Sequence, residues 1–357
     1  MRTHAGCGLN RDSHRRSMKP TQEQDFQAEQ VVQSSRMVPT AFSITPTVHV
    51  QSCPLCDRKE FKLFQRLIHG GVELKYPICC YCGLVFLSPR FEEGELTRFY
   101  QEEYRLRYSG DASPTVSNLK EQAARAGHLA DVVKLQCPRI SSHLDIGCSA
   151  GELLNAVRQA FPEVLRFRSV GIEPSEAHRA WCAQKNIAVF PSLEAAIAAG
   201  TERVDLISLS HVLEHISDPI SFLRTVRTSL LSPNGMLLLE VPNLFGHASF
   251  EIAHLFAFTE KTLEDVLHAA GFKQCWGKLH SVPRAEASGL RYIAVLATPE
   301  SPSAENTHPI RRVWWRLAKL KRTQWSYGLG SRGSDLLSRL PGKVWKFLSR
   351  RFSQRTR

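Results

Sequence analysis

Short β-forming runs alternate with amphipathic helical segments throughout residues 142–298. The candidate strands are 142–147, 167–173, 187–190, 204–210, 235–241, 272–280 and 291–297. The candidate helices between them are 151–160, 175–184, 193–199, 219–231 and 259–270. Because strands that alternate with helices form βαβ units, the pattern predicts an α/β fold with a doubly wound, mostly parallel, seven-stranded sheet. The last two strands follow each other without a helix, so we expect an antiparallel hairpin at one edge.

A glycine-rich turn separates the first of these strands from its helix, in the segment HLDIGCSAGELL at residues 143–154. Gly147 and Gly151 allow the backbone to approach a ligand closely, and the following helix presents its amide dipoles. The next strand ends at Glu173, where a carboxylate can accept hydrogen bonds from both hydroxyls of a ribose. The combination predicts a nucleoside-type cofactor, and the alternative is a purely structural strand-to-helix turn.

Five motifs in this region resemble those of class I S-adenosylmethionine-dependent methyltransferases, in the same order. They are LDIGCSAG, VGIEPS, VDLISLSHVLEHISDP, LLSPNGMLLLEVPN and FTEKTLEDVLHAAGF. The resemblance covers residues 142–298 and implies a Rossmann-like methyltransferase enzyme with S-adenosyl-L-methionine as its cofactor.

The resemblance also implies a set of cofactor-binding residues. Asp145, Gly147, Cys148, Ser149 and Gly151 are expected at the methionine end, where Ser149 replaces a glycine found in many family members. Glu173 is expected to bind the ribose. The residues after the third strand, Pro191, Ser192 and Leu193, are expected to flank the adenine. Ser210 and His211, at the end of the fourth strand, are expected to face the methionine moiety as well.

The sequence HVLEH, residues 211–215, also matches an inverted zinc-protease motif. That motif needs a helix, whereas this segment follows a strand and precedes Asp218-Pro219, so we reject the protease interpretation. Two interpretations stay open. Glu214 and His215 support the loop after the fourth strand, or His215 is the general base that removes a proton from the methyl acceptor.

Four cysteines form two C-x2-C pairs, Cys53 with Cys56 and Cys79 with Cys82. Two such pairs suit a tetrahedral site of four thiolates, and we predict a zinc ribbon over residues 49–90. Since protein ligands fill all four positions, the zinc is expected to be structural. The alternative is four incidental buried cysteines.

A ribbon ahead of a class I domain is similar to a zinc-binding module of some small-molecule methyltransferases, including C-methyltransferases of nucleotide-linked sugars. The linker LTRFYQEEY, residues 96–104, looks like their tyrosine-bearing helix. Tyr100 and Tyr104 are therefore either substrate contacts or core aromatics at helical spacing.

The net charge of +12 belongs entirely to the C-terminal tail, because residues 301–357 contain 14 Lys and Arg but only two acids. We divide the chain into a disordered segment (1–48), the ribbon (49–90), a helical linker (91–141), the methyltransferase domain (142–298) and the basic amphipathic tail (299–357). The tail's Trp-containing amphipathic segments favour an anionic membrane surface; nucleic-acid binding and packing on the protein body are the alternatives.

We expect a cytoplasmic protein, peripheral to a membrane if the tail attaches there, because neither a signal peptide nor a long apolar stretch is evident. The leading functional hypothesis is methyl transfer to a small-molecule acceptor, a sugar or a glycan or lipid precursor. An RNA methyltransferase and a catalytically dead binding scaffold are the alternatives.

Overall fold

The structure is a computed structural model that describes residues 45–69, 71–104, 110–137, 139–246, 250–284 and 290–300. The predicted disordered segment therefore lies outside the described residues up to residue 44, and the basic tail lies outside from residue 301 onward. Among the helices of the described part, none has both the length and the apolar character needed to cross a membrane.

Eleven strands and seven α-helices make up the described chain. The strands are β1 (Phe61–His69), β2 (Val72–Cys79), β3 (Val85–Phe86), β4 (Ser142–Ile146), β5 (Arg168–Ile172), β6 (Ala188–Phe190), β7 (Val204–Ser210), β8 (Leu231–Pro242), β9 (Phe256–Ala257), β10 (Phe272–His280) and β11 (Tyr292–Pro299). The helices are α1 (Glu93–Arg98), α2 (Val116–Gln136), α3 (Glu152–Ala160), α4 (Glu176–Gln184), α5 (Leu193–Ala198), α6 (Pro219–Ser229) and α7 (Glu260–Ala269).

The larger sheet has seven strands in the order β10-β11-β8-β7-β4-β5-β6. Strands β4 to β8 pair in parallel, while β11 is antiparallel to both β8 and β10. This confirms the predicted mostly parallel α/β sheet with an antiparallel hairpin at its edge. Central strand residues such as Leu144, Ile207 and Leu239 are fully buried, as expected when helices cover both faces.

One sequence-based boundary is wrong. The sequence predicts a helix that ends at residue 231 and a strand that begins at residue 235, but β8 already begins at Leu231. The reason is a pairing that local sequence does not reveal: Leu231 lies opposite Val204, and a register irregularity separates this pair from the regular ladder that starts at Leu206. An irregularity of this kind accommodates the turn-forming Pro-Asn-Gly sequence within a strand.

The smaller sheet has the strand order β1-β2-β3-β9, and its strands β1 and β2 form an antiparallel hairpin within the cysteine-rich module, residues 49–90. Its fourth strand, β9, comes from residues 256–257, far along the chain, and pairs antiparallel with β3. The cysteine-rich segment and the later chain therefore share one sheet. The boundaries assigned to the five segments remain predictions.

Between the two sheets the chain forms α1, a π-helical turn at Phe99–Glu103, and the long helix α2. Phe99 is buried, and the turn places Tyr100 and Tyr104 side by side with ring centroids 5.2 Å apart. Helix α2 buries Ala126, Leu129 and Val133. These elements close one side of the cavity described below.

Candidate active site

A cavity of about 770 Å³ opens at the carboxyl ends of the parallel strands. This is the edge at which open α/β sheets bind their ligands, and the volume is within the usual range for small-molecule sites. His215 and ten of the eleven predicted cofactor residues line it: Asp145, Gly147, Cys148, Ser149, Glu173, Pro191, Ser192, Leu193, Ser210 and His211. Gly151 does not line the cavity; it is the N-cap of α3 with φ +81° and faces Ile187 and Cys182.

The turn after β4 requires unusual backbone conformations. Gly147 has φ +75°, and a Cβ atom there would lie 2.5 Å from a side-chain carbon of Val212. Ser149, the residue that replaces the usual glycine, has φ +49°, and His211, which also lines the cavity, has φ +56°. Left-handed conformations at non-glycine residues are costly and cluster at binding sites. The turn therefore keeps the left-handed geometry that glycine would provide.

Glu173, immediately after β5, is buried with 3% of its surface exposed. Its carboxylate accepts hydrogen bonds from the backbone N–H groups of Ser149 (2.9 Å) and Ser175 (3.0 Å). The carboxylate thus links the glycine-rich turn to the start of α4. A carboxylate has about four acceptor positions, so it can hold this turn and also bind ligand hydroxyls.

Asp145 belongs to a buried chain of polar groups that reaches from the sheet interior to the cavity. The Ser208 hydroxyl donates to Asp145 Oδ1 (2.5 Å), and His143 Nε2 lies 2.7 Å from the same hydroxyl oxygen. Burial lowers the pKa of His143 to about 3, so its ring is neutral and donates from Nε2 to Ser208. Burial raises the pKa of Asp145 to about 7, with the nearby Glu173 charge adding to the shift.

The raised pKa of Asp145 predicts how stability depends on pH. The folded state binds this proton more tightly than the unfolded state, so the contribution of Asp145 to stability falls as pH rises from about 4 to about 7. Asp145→Asn keeps the acceptor for Ser208 and removes the buried charge. We expect the variant to be about 1–2 kcal/mol more stable than the wild type at pH 8 and nearly equal at pH 5, measured by melting temperature without ligand.

Asp205→Asn is the matched control, because the pKa of the Asp205 carboxylate is lowered whereas that of Asp145 is raised. Although burial alone would raise the pKa of Asp205, hydrogen bonds from Ser141 and Ser142 lower it. That variant should lose stability at pH 8. A loss of stability in Asp145→Asn at pH 8 would contradict the prediction.

A second buried polar cluster, which sequence analysis missed, lies beside Ser210. The Ser210 hydroxyl donates to Glu240 Oε2 (2.5 Å), and Arg125 Nε lies 3.3 Å from the same oxygen. His280 Nε2 lies 3.4 Å from Oε1, and the guanidinium of Arg125 lies 5.3 Å from the ring centre of Tyr292. The signal that could have found it is a glutamate inside the apolar strand MLLLEVP, because a buried carboxylate requires partners.

His215 also lines the cavity and is held through its Nδ1 atom. This nitrogen is 2.8 Å from the carbonyl oxygen of Ala253 and 2.8 Å from the hydroxyl of Tyr100, which also donates to Ala253 (3.0 Å). Since a carbonyl only accepts, we assign the proton to Nδ1 in the neutral ring. That leaves the lone pair on Nε2, the nitrogen needed by a base.

Glu214 is buried behind these histidines. Its Oε1 atom lies 3.3 Å from His211 Nδ1 and 3.9 Å from His215 Nε2. Burial raises the pKa of Glu214 to about 7. When ionised, this carboxylate stabilises a proton on either imidazole.

The segment HVLEH does not form the helix of a zinc protease. Residues Leu213–His215 make a single 3-10 turn, and His211 precedes it in a left-handed conformation. Glu214, His215 and His254 each bring one possible metal-ligand atom within 4.8 Å of the others. His254 in turn contacts Glu251, with 2.8 Å between Nε2 and Oε1. Sequence analysis missed Glu251 and His254, which lie in a segment without a recognisable motif.

The four predicted cysteine ligands come together, with each sulfur within 4.8 Å of the others. Cys53 Sγ lies 3.4 Å from Cys82 Sγ, and Cys56 Sγ lies 3.6 Å from Cys79 Sγ. These distances exclude disulfides and are close to the ~3.8 Å sulfur separation in a tetrahedral site with ~2.3 Å zinc–sulfur bonds. Contact with Cys53 lowers the pKa of the Cys79 thiol and raises that of Cys82. The neighbouring Cys80 is not part of this cluster.

Comparison with known proteins agrees with this geometry. Residues 112–275 match a family described as "Methyltransferase domain". Together with the sheet topology, the match identifies the protein as a methyltransferase enzyme. Its seven-stranded, mostly parallel sheet is of the Rossmann-like kind. No match was found among curated proteins.

Several solved structures are similar in fold. A Burkholderia thailandensis 1,6-didemethyltoxoflavin-N1-methyltransferase with bound S-adenosylhomocysteine is 17% identical, with a TM-score of 0.46 over 61% of this chain and 96% of that one. The plantazolicin methyltransferase BpumL in complex with SAH is 16% identical, with a TM-score of 0.44 over 57% and 94%. An Archaeoglobus fulgidus SAM-dependent methyltransferase is 18% identical, with a TM-score of 0.38 over 51% and 99%. None of these likenesses assigns an acceptor.

Proposed function

We propose that this methyltransferase transfers the methyl group of S-adenosyl-L-methionine to a small-molecule acceptor, a sugar or a glycan or lipid precursor. One observation carries the proposal: a single cavity joins the nucleoside-type residues Asp145 and Glu173 to a hydroxyl and imidazole cluster at Tyr100 and His215. A cofactor site and a proton-accepting site must share one space for direct methyl transfer.

The residues present fit the cofactor. Glu173 binds the ribose hydroxyls, and Ser192 and Leu193 flank the adenine at the start of α5. Asp145, Cys148 and Ser149 surround the methionine end, with Ser210 and His211 on the opposite side. When bound, the cofactor supplies an electrophilic methyl group on a positively charged sulfonium. The buried carboxylates of Asp145 and Glu173 complement that charge.

His215 is proposed as the general base. Its Nδ1–H donates to the Ala253 carbonyl, which orients the ring, and Nε2 takes the proton from the attacking atom of the acceptor. Glu214 then stabilises the imidazolium from 3.9 Å. Tyr100 is fixed by the same carbonyl and lines the cavity, so its hydroxyl orients the acceptor. Sugar hydroxyls suit this polar wall because hydroxyls both donate and accept hydrogen bonds.

Replacing His215 tests this role. We expect His215→Asn to bind S-adenosylhomocysteine within about 3-fold of the wild type, while turnover falls by about 10²–10⁴-fold. Turnover is measured by mass spectrometry of small-molecule extracts incubated with cofactor that carries a deuterated methyl group. His268→Asn, on the exposed end of α7, is the control and should keep full turnover. Wild-type turnover in His215→Asn with intact binding would exclude the base role.

The same labelled extract tests the overall function. A product heavier by one deuterated methyl group identifies the acceptor, and its fragmentation shows whether carbon, oxygen or nitrogen was methylated. Calorimetry with S-adenosylhomocysteine separates an enzyme from a binding scaffold. Absence of binding heat in the wild type would overturn the proposal.

We also propose that Cys53, Cys56, Cys79 and Cys82 bind one structural zinc ion. The support is the set of four sulfurs at tetrahedral spacing, three of them buried. With four protein ligands the site has no open position, so the zinc would stabilise the fold and take no part in the chemistry. Attachment of the tail to a membrane surface and the cytoplasmic location remain predictions from the sequence.

A further inference from the structure

The cysteine-rich module does not line the cavity, yet it is joined to a segment that does. None of the described residues 45–90 is part of the cavity wall. Strand β3 of the module pairs with β9, where Val85 lies opposite Ala257 and Phe86 opposite Phe256. The N–H of Leu87 extends this ladder by donating to the Leu255 carbonyl (2.9 Å). The module therefore holds the segment formed by residues 250–257, which we call the catalytic segment.

Tyr76 on β2 makes the most direct contact with the catalytic segment. Its side chain is fully buried, and its hydroxyl donates toward the carbonyl oxygens of Glu251 (2.5 Å) and His254 (2.9 Å). The ring of Phe250 lies edge-on against Tyr76, with centroids 4.9 Å apart. Burial raises the pKa of the Tyr76 hydroxyl well above its usual value, so the group remains a donor.

Between those two carbonyls lies the one that orients the proposed base. The Ala253 carbonyl accepts from His215 Nδ1 (2.8 Å) and from Tyr100 (3.0 Å). The Leu255 N–H donates to the Glu214 carbonyl (2.8 Å) and ties the same segment to the 3-10 turn that carries His215. A backbone held at Glu251 and His254 leaves the Ala253 carbonyl little freedom to rotate.

We propose that Tyr76 is a positioning residue for the acceptor side of the active site. Through the catalytic segment, it sets the Ala253 carbonyl and thereby the tautomer and orientation of His215. The cysteine-rich module thus has a role in catalysis beyond its own fold, without touching cofactor or acceptor. The proposed cofactor residues lie at the carboxyl ends of β4, β5 and β7 and at the start of α5, and among the described residues none of these places is hydrogen-bonded to the Tyr76 hydroxyl. This inference builds on the proposed function of His215.

Tyr76→Phe in the full-length protein removes the hydroxyl and keeps the ring. The control is Tyr81→Phe, the same change in the same module, where the tyrosine ring packs under Arg58 at 4.9 Å. Each protein is measured for zinc content, affinity for S-adenosylhomocysteine, hydrogen exchange of the catalytic segment, and the ¹⁵N resonances of the His215 ring, assigned with His215→Asn.

We expect Tyr76→Phe to keep its zinc and to bind S-adenosylhomocysteine within about 3-fold of the wild type. Amide exchange at Leu255 should rise by about 10-fold or more, because the carbonyls of Glu251 and His254 both lose the hydroxyl that ties the segment to β2. The His215 ring should lose its preference for the Nδ1–H tautomer, and turnover should fall by about 10–100-fold through kcat. Tyr81→Phe should match the wild type in every measurement.

Wild-type exchange and an unchanged His215 resonance in Tyr76→Phe would overturn the inference. An equal loss of cofactor affinity would also overturn it, since the effect would then be general damage. If Tyr76→Phe does not fold, Phe250→Leu replaces it, because this variant loosens the same segment. We then expect smaller changes, in the same direction, in the amide exchange of Leu255, the His215 ring resonances and turnover. Failure of the wild type to bind S-adenosylhomocysteine would instead contradict the proposed function.

Discussion

Replacing Cys82 with serine is expected to abolish zinc binding and to unfold the cysteine-rich hairpin. Cys82 is fully buried, and its sulfur lies 3.4 Å from that of Cys53. Among the described residues, the cluster contains only Cys53, Cys56, Cys79 and Cys82, so no fifth ligand is available to replace it. Structural zinc sites contribute about 10–16 kcal/mol of apparent binding energy, more than so small a module can replace. Because β3 pairs with β9, the loss should spread beyond the hairpin.

Metal analysis and thermal unfolding check this prediction, with Cys80→Ser as the matched control. Cys80 adjoins Cys79 but lies outside the four-sulfur cluster. We expect about one zinc per chain in the wild type and in Cys80→Ser, almost none in Cys82→Ser, and a melting temperature lower by about 10 °C or more in Cys82→Ser alone. Full zinc content in Cys82→Ser, or its loss in Cys80→Ser, would show that the cluster has been assigned incorrectly.

Glu173→Gln should weaken binding of S-adenosylhomocysteine by about 100-fold or more. The glutamine amide has one acceptor oxygen in place of two, whereas Glu173 accepts from Ser149 and Ser175 and is expected to accept from both ribose hydroxyls. Hydrogen bonds to a charged group contribute about 1.5–3 kcal/mol each, so losing one or two accounts for this factor. The glycine-rich turn also loses its link to the start of α4.

Calorimetry with S-adenosylhomocysteine measures the effect, and Glu176→Gln provides the control. Glu176 is exposed in the first turn of α4, three residues from Glu173, and Glu176→Gln removes the same charge as Glu173→Gln. We expect its affinity to stay within about 3-fold of the wild type. An affinity for Glu173→Gln within the same range would remove Glu173 from the ribose site and leave it a structural role in the turn.

The cofactor side of the cavity could be predicted almost completely from the sequence. Strand-turn-helix motifs are local, and in a parallel sheet the carboxyl ends of β4, β5 and β7 meet at one edge. Asp145, Glu173 and Ser210 lie at or beside the carboxyl ends of these strands, and all three line the cavity; their roles toward the cofactor remain predictions. Gly151 was the exception: the same spacing serves a helix N-cap as well as a ligand contact, and only the backbone dihedrals distinguish them.

The other polar groups around the cavity could not be predicted in the same way. Arg125, Glu240 and His280 come from three distant segments and meet only through packing. His215 was identified by its position after β7, but the group that orients it is the carbonyl of Ala253. A backbone carbonyl has no sequence signature, since any residue could supply it.

The amino-acid sequence by itself determined the alternation of strands and helices, the glycine-rich turn, and the two cysteine pairs. These features depend on hydrophobic periodicity, turn chemistry and ligand spacing, all of which act over a few residues. Only the tertiary structure decided that β9 joins the cysteine-rich sheet and that Tyr76 holds the segment beside His215. Such contacts, between residues 170 or more positions apart, depend on which surfaces bury each other, and no local pattern encodes that pairing.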